Sequence, residues 1–113
     1  MAKLNGVEIG NVVKDALDAA QQVAQGDWSE LKGIVRNIAD NMLADLKFIA
    51  NEAKAGRIDR YGAKIFLEDQ RTVARVRLRS VAIMTLQSAE RILNAVIKVF
   101  QNAAKTALGW NLF

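Results

Sequence analysis

Residues 59–108 have the sequence DRYGAKIFLEDQRTVARVRLRSVAIMTLQSAERILNAVIKVFQNAAKTAL. The helices that this stretch forms determine the fold. After Gly62 no glycine or proline occurs until Gly109, and most of the intervening residues are good helix formers. The simplest prediction is one helix over 59–108, capped by Asp59 and about 70 Å long at ~1.5 Å per residue. Its second half has a regular apolar seam and its first half does not. The alternative is therefore a kink or break near Arg77–Ser80.

Two amphipathic helices are predicted upstream, over residues 8–25 and 27–55, because apolar residues recur there at steps of three and four. Asp27 followed by Glu30 is typical of a capping box at the start of the second helix. Gly56 is the expected helix stop. The predicted fold is therefore all-α: a small bundle of three helices with a long third helix, completed by oligomerisation.

The composition fits one helical domain covering residues 1–113. The chain is 51% apolar and 25% charged and has no proline, the residue that helix interiors exclude most strongly. A chain of 113 residues is long enough to bury one core but not two.

The absence of cysteine and histidine narrows the chemistry. It removes disulfides, thiolate and imidazole metal sites, and catalysis by Ser-His or Cys-His pairs. We therefore expect no enzyme, no metal or other cofactor, and no small-molecule substrate. Asp69 and Gln70 interrupt an apolar stretch, and one of them is expected to be a buried polar contact that sets helix register.

No run of ~18–20 apolar residues and no apolar N-terminal segment of the signal-peptide kind occurs in the sequence. The expected localisation is cytoplasmic, or within an assembled particle.

The net charge of +4 is unevenly distributed. Residues 1–56 carry six basic and eight acidic side chains, and residues 57–113 carry ten basic and four acidic. The densest positive feature is a cluster of four arginines: Arg71, Arg75, Arg77 and Arg79. One interpretation is a site for an anion or an acidic partner. The other is that they pair within the protein, with Glu68 or with carboxylates of the second helix at Asp40, Asp45 or Glu52.

The C-terminal segment 109–113 follows its glycine with large apolar side chains. Trp110 or Leu112 is expected either to fold back on the last helical turn or, together with Phe113, to anchor a partner subunit or a membrane interface.

An overlong third helix would leave an apolar stripe in water, which usually marks an interface. The leading hypothesis is a non-enzymatic structural or interaction protein that forms a homo-oligomeric helical assembly. Its predicted contact residues are Leu86, Leu93, Phe100, Trp110, Leu112 and Phe113. The first alternative is a basic amphipathic helical protein that binds or perturbs an anionic membrane surface. The second alternative is nucleic-acid binding through the four arginines.

Overall fold

The computed structural model describes residues 3–4, 7–24, 28–82 and 84–110. It is all-α in class, as predicted, with helices α1 (Ile9–Val23), α2 (Trp28–Lys54), α3 (Arg60–Val81) and α4 (Leu86–Leu108). An antiparallel ladder of two-residue strands, β1 (Lys3–Leu4) and β2 (Val7–Glu8), precedes α1. Both α1 and α2 lie inside the ranges predicted for the first two helices.

The prediction of one continuous third helix is wrong, because residues 59–108 form α3 and α4. The break lies beyond the Arg77–Ser80 alternative. Ala82 ends α3, and Thr85 has extended backbone (φ −69°, ψ 159°) as the N-cap of α4. Its Oγ1 accepts a hydrogen bond from the Ser88 backbone N–H at 3.2 Å. This bond satisfies a donor that would otherwise be unpaired at the start of α4, so Thr85 stabilises a new helix start.

The turn between α2 and α3 follows the sequence prediction closely. Gly56 adopts φ +75°, and the Gly56 and Arg57 N–H groups donate to the Ala53 and Glu52 carbonyls at 3.0 and 2.8 Å. These two bonds define a Schellman motif. Asp59 then caps α3 by accepting from the Gly62 N–H at 2.8 Å. Asp27, the predicted cap of α2, lies outside the described residues.

The core draws on all four helices and is richest along α4. Helices α2 and α4 contact each other, and α1 and α3 each pack against both of them, with the largest contact between α1 and α4. Contact between α1 and α3 is slight, so these two helices lie at opposite edges. The dimensions of 43 × 29 × 17 Å fit such a slab. Each edge helix therefore has one face that no other described helix covers.

Candidate interaction surface

The two edge helices differ in what they expose to solvent. Among residues 11–23 of α1, whose side chains the structure describes, the exposed ones are all polar: Asn11, Lys14, Asp15, Asp18, Gln21 and Gln22. On α3, by contrast, Tyr61, Ile65 and Val76 are 70%, 62% and 55% exposed. A helix at the surface of a monomer normally resembles α1, with polar residues opposite its buried stripe. The exposed apolar side chains of α3 are therefore unusual for a helix at the surface of a monomer.

The exposed residues of α3 form a continuous stripe along its outside. We call the stripe made by Tyr61, Ile65, Glu68, Thr72, Val76 and Arg79 the outer face of α3. Its members are separated by steps of four, three, four, four and three, which keeps them on one side of an α-helix. The opposite side is buried through Ala63, Leu67, Ala74 and Leu78.

A second apolar feature lies beside this face, where α3 meets α2. The rings of Phe48 and Phe66 are tilted against each other with centroids 5.4 Å apart, and Phe48 is about half exposed. Val73, also half exposed, lines a small depression together with Asp45 of α2. Partial burial there raises the pKa of the Asp45 carboxyl above its usual value, because desolvation disfavours the charged form.

The sequence-predicted contact residues of the last helix are placed mostly inside the protein. Leu93 and Phe100 are 0% and 1% exposed and belong to the core. The break after α3 lets α4 fold back against α1 and α2, so its seam is covered by the same chain. Leu86, at the start of α4, stays about half exposed.

At the C-terminus, Gly109 adopts φ +73° and its N–H donates to the Lys105 carbonyl at 2.9 Å. Trp110 is partly buried and packs against the core, which matches the fold-back alternative for that residue. Leu112 and Phe113 lie outside the described residues.

Three of the four clustered arginines have partners within the chain. Glu90 of α4 accepts from Arg75 Nε and lies 3.7 Å from Arg71 Nη2, which also donates to Asn94 Oδ1 at 2.7 Å. Arg77 donates to Asn37 of α2. The cluster therefore joins α3 to both of its neighbours.

The partners differ from the carboxylates that the sequence suggested. Asp40 lies 4.0 Å from Arg36, and Glu52 accepts two hydrogen bonds from Arg57 at 2.7 and 3.1 Å. The hydrogen bonds from Arg57 lower the pKa of Glu52. Glu68 is exposed on the outer side of α3. The fold brings Glu90 to the arginines instead, although fifteen residues separate it from Arg75 in the chain.

Arg79 has no side-chain partner in the part of the chain that the structure describes. It is exposed and lines an open depression of about 280 Å³ with Arg75, Val76, Ser80 and Met84. It is therefore the arginine of the cluster most available to a group outside this chain.

The expectation of a buried polar contact at Asp69 or Gln70 is not met. Asp69 is exposed, and Gln70 is only partly buried beside Asp45. Across residues 11–24, 28–82 and 84–110, the ranges with described side chains, no polar or charged residue is fully buried.

Within the described ranges, no three acidic residues come close enough to hold a metal ion. None of the helices seen in the structure is long and apolar enough to cross a membrane. No protein-family model, curated protein or solved structure matches the chain.

Proposed function

We propose that this chain is a non-enzymatic interaction protein that assembles with further copies of itself through the outer face of α3. The observation that carries the proposal is the contrast between the edge helices: the exposed side chains of residues 11–23 in α1 are polar, whereas α3 exposes Tyr61, Ile65 and Val76. Exposed apolar stripes of this kind are typical of interfaces, because their burial removes apolar surface from water.

The proposed contact lies on α3 and not on the last helix. The contact predicted from the sequence was the apolar seam of an overlong third helix, and that seam is buried in the core of the chain. The exposed apolar surface that remains is concentrated on α3. This helix contributes most of the large apolar side chains that are about half exposed or more. They are Tyr61, Ile65, Val73, Val76 and Val81 on α3, and the two others are Phe48 on α2 and Leu86 on α4.

The test is the mass in solution by size-exclusion chromatography with light scattering, over a range of micromolar concentrations. The unsubstituted chain is expected to have a defined mass above that of one copy. The double variant Ile65→Lys with Val76→Lys is expected to weaken association by about tenfold or more, since charged side chains resist desolvation at a contact.

The matched control is the double variant Gln21→Lys with Gln22→Lys, which adds the same charge to the exposed face of the other edge helix. It should associate like the unsubstituted chain. Thermal unfolding of both variants checks that they fold, and exposed substitutions should leave stability nearly unchanged. A monomeric unsubstituted chain at every concentration would contradict the proposal.

The same stripe supports a second candidate, binding to an anionic membrane surface. Arg60, Lys64 and Arg79 supply positive charge on α3 around apolar residues, as interfacial helices do. Glu68 and Asp69 lie in the middle of the helix and oppose contact with anionic lipid. Co-sedimentation with phosphatidylserine vesicles at low salt would favour this candidate, particularly if the unsubstituted chain is a monomer.

Nucleic-acid binding has less support. Arg71, Arg75 and Arg77 already bind groups of this chain, which leaves Arg79 as the one free arginine of the cluster among the described residues. A single exposed arginine supplies little of the phosphate neutralisation on which such binding depends.

A further inference from the structure

The charges of the chain are divided between two pairs of helices. Helices α3 and α4, which pack against each other, carry nine basic and three acidic side chains, whereas α1 and α2 carry five basic and six acidic ones. Among the described residues, no ion pair joins α3 or α4 to α1 or α2. The positive charge of α3 and α4 is therefore not neutralised by the acidic half of the chain.

The solvent-exposed side of α4 is a row of basic and amide side chains, which we call the α4 stripe. It consists of Gln87, Arg91, Asn94, Lys98, Asn102 and Lys105, all of them exposed. Steps of four, three, four, four and three keep these residues on one side of an α-helix. The three cations follow one another every seven residues, about 10.5 Å along the axis. None of the three has an ion-pair partner in the described part of the chain.

Asn94 lies between two of these cations and is oriented by α3. Its Oδ1 accepts a hydrogen bond from Arg71 Nη2 at 2.7 Å, so its amide NH2 group is left to donate elsewhere. Arg91 precedes Asn94 by three residues and Lys98 follows it by four, which places the donors of all three side chains on the same side. Cationic and amide donors in one row suit the oxygens of phosphate groups.

The acidic side chains on and beside α4 do not cancel this charge. Glu90 accepts from Arg75 and lies 3.7 Å from Arg71, so its own charge is compensated. Helix α1 packs on one side of α4 and has one basic side chain against Asp15 and Asp18. Helix α3 packs on the other side and has six basic and two acidic side chains. The two flanking helices together therefore add net positive charge.

We infer that the α4 stripe binds the phosphate backbone of double-stranded DNA, independently of base sequence. The stripe is separate from the four clustered arginines, so it does not require their charges to be free. Its cation spacing of about 10.5 Å is close to the ~12 Å width of the DNA major groove. A helix laid across the groove brings Arg91 and Lys98 near the phosphates at its two edges.

The composition of the stripe favours a duplex over the other polyanions. Helices that bind a membrane surface insert apolar side chains at the headgroup boundary, and the stripe has none. Proteins that bind single strands stack the bases on aromatic side chains, which the stripe also lacks. A duplex requires only positive charge and donors facing its phosphates.

Fluorescence anisotropy of a labelled DNA duplex of mixed sequence and about 20 base pairs, titrated with the chain from about 50 mM salt upward, tests the inference. Three neutralised phosphates predict that the logarithm of the association constant falls with the logarithm of salt concentration with a slope of about −3. The double variant Arg91→Gln with Lys98→Gln is expected to bind about tenfold more weakly, or less, and to reduce the slope to about −1.

The matched control is the double variant Arg36→Gln with Lys47→Gln, which removes the same two residue types from exposed positions of α2. Its affinity for the duplex should stay within about threefold of the unsubstituted chain, with the slope unchanged. A second stripe variant, Lys98→Gln with Lys105→Gln, should repeat the loss. Thermal unfolding checks that all three variants fold.

Absence of duplex binding at low salt overturns the inference. Equal losses in the control and in the stripe variants also overturn it, since net charge and not the stripe would then be responsible. Binding to phosphatidylserine vesicles that depends on the stripe, with no binding to the duplex, assigns the surface to lipid and overturns it as well. The stripe contains no residue of the outer face of α3, so each of these outcomes leaves the proposed self-assembly standing.

Discussion

At the scale of single residues, two glycines show that the backbone conformation determines how the addition of a side chain changes stability. Gly33 lies within α2, is exposed, and a Cβ built there would meet no other atom within 4 Å. Gly109 is equally open, but it adopts φ +73° at the end of α4. A Cβ would therefore have room at both positions, and the two glycines differ only in backbone conformation.

Alanine at these two glycines is expected to act in opposite directions. Gly33→Ala should raise the free energy of unfolding by about 0.8 kcal/mol, because alanine is the better helix former. Gly109→Ala should lower it by about 1 kcal/mol, because a Cβ is disfavoured in left-handed backbone. Urea unfolding monitored by circular dichroism measures both. Stabilisation by Gly109→Ala would contradict the left-handed helix end.

At the scale of elements, Thr85 divides the long helical stretch. Its hydroxyl oxygen accepts from the Ser88 N–H at 3.2 Å, and α4 begins at the next residue. Neither glycine nor proline marks this point. A threonine three residues before a serine is a weak signal, since the same pattern is common inside helices. Thr85 can be recognised as a cap only from its extended backbone in the structure.

Thr85→Ala is expected to lower the free energy of unfolding by about 1 kcal/mol, because the first turn of α4 loses its cap. The control is Thr106→Ala, within α4, where the hydroxyl donates to the Asn102 carbonyl of its own helix at 3.0 Å. That change should be neutral or slightly stabilising, since alanine has the higher helix propensity. Equal losses in chemical unfolding of both variants would indicate that Thr85 does not act as a cap.

At the scale of the whole molecule, Glu90 holds the edge helix α3 to α4. It accepts from Arg75 and lies 3.7 Å from Arg71 Nη2, and all three side chains are about one-third exposed. The Arg71 Nε atom is buried and has no hydrogen-bond partner. The arginines therefore depend on this one carboxylate for compensating charge.

Glu90→Gln is expected to cost about 1–3 kcal/mol in the free energy of unfolding, because two partly buried arginines lose their anionic partner. The matched control, Glu68→Gln, removes the same charge from an exposed side chain of α3 that has no ion pair in the described structure. That control should change stability by less than about 0.5 kcal/mol. Thermal and urea unfolding give both values, and equal effects would show that net charge, and not this contact, is responsible.

None of the contact residues predicted from the sequence is an apolar residue of the outer face of α3. The apolar residues in the first half of 59–108 are irregular because they form two stripes on opposite sides of α3. Leu67 and Leu78 face the core, while Ile65 and Val76 face outward. Hydrophobicity alone does not distinguish a buried stripe from an exposed one. Only the position of α3 at the edge of the slab separates the two.

Local sequence patterns are sufficient to predict the helical class, the first two helices, the Gly56 turn and the Asp59 cap, because these depend on residues close together in the chain. Tertiary structure decided the break before Thr85, the partners of the arginines and the apolar side of α3 that remains exposed. Each of these depends on which distant helix lies alongside. Local spacing specifies the face of a helix, whereas only packing decides whether that face is covered.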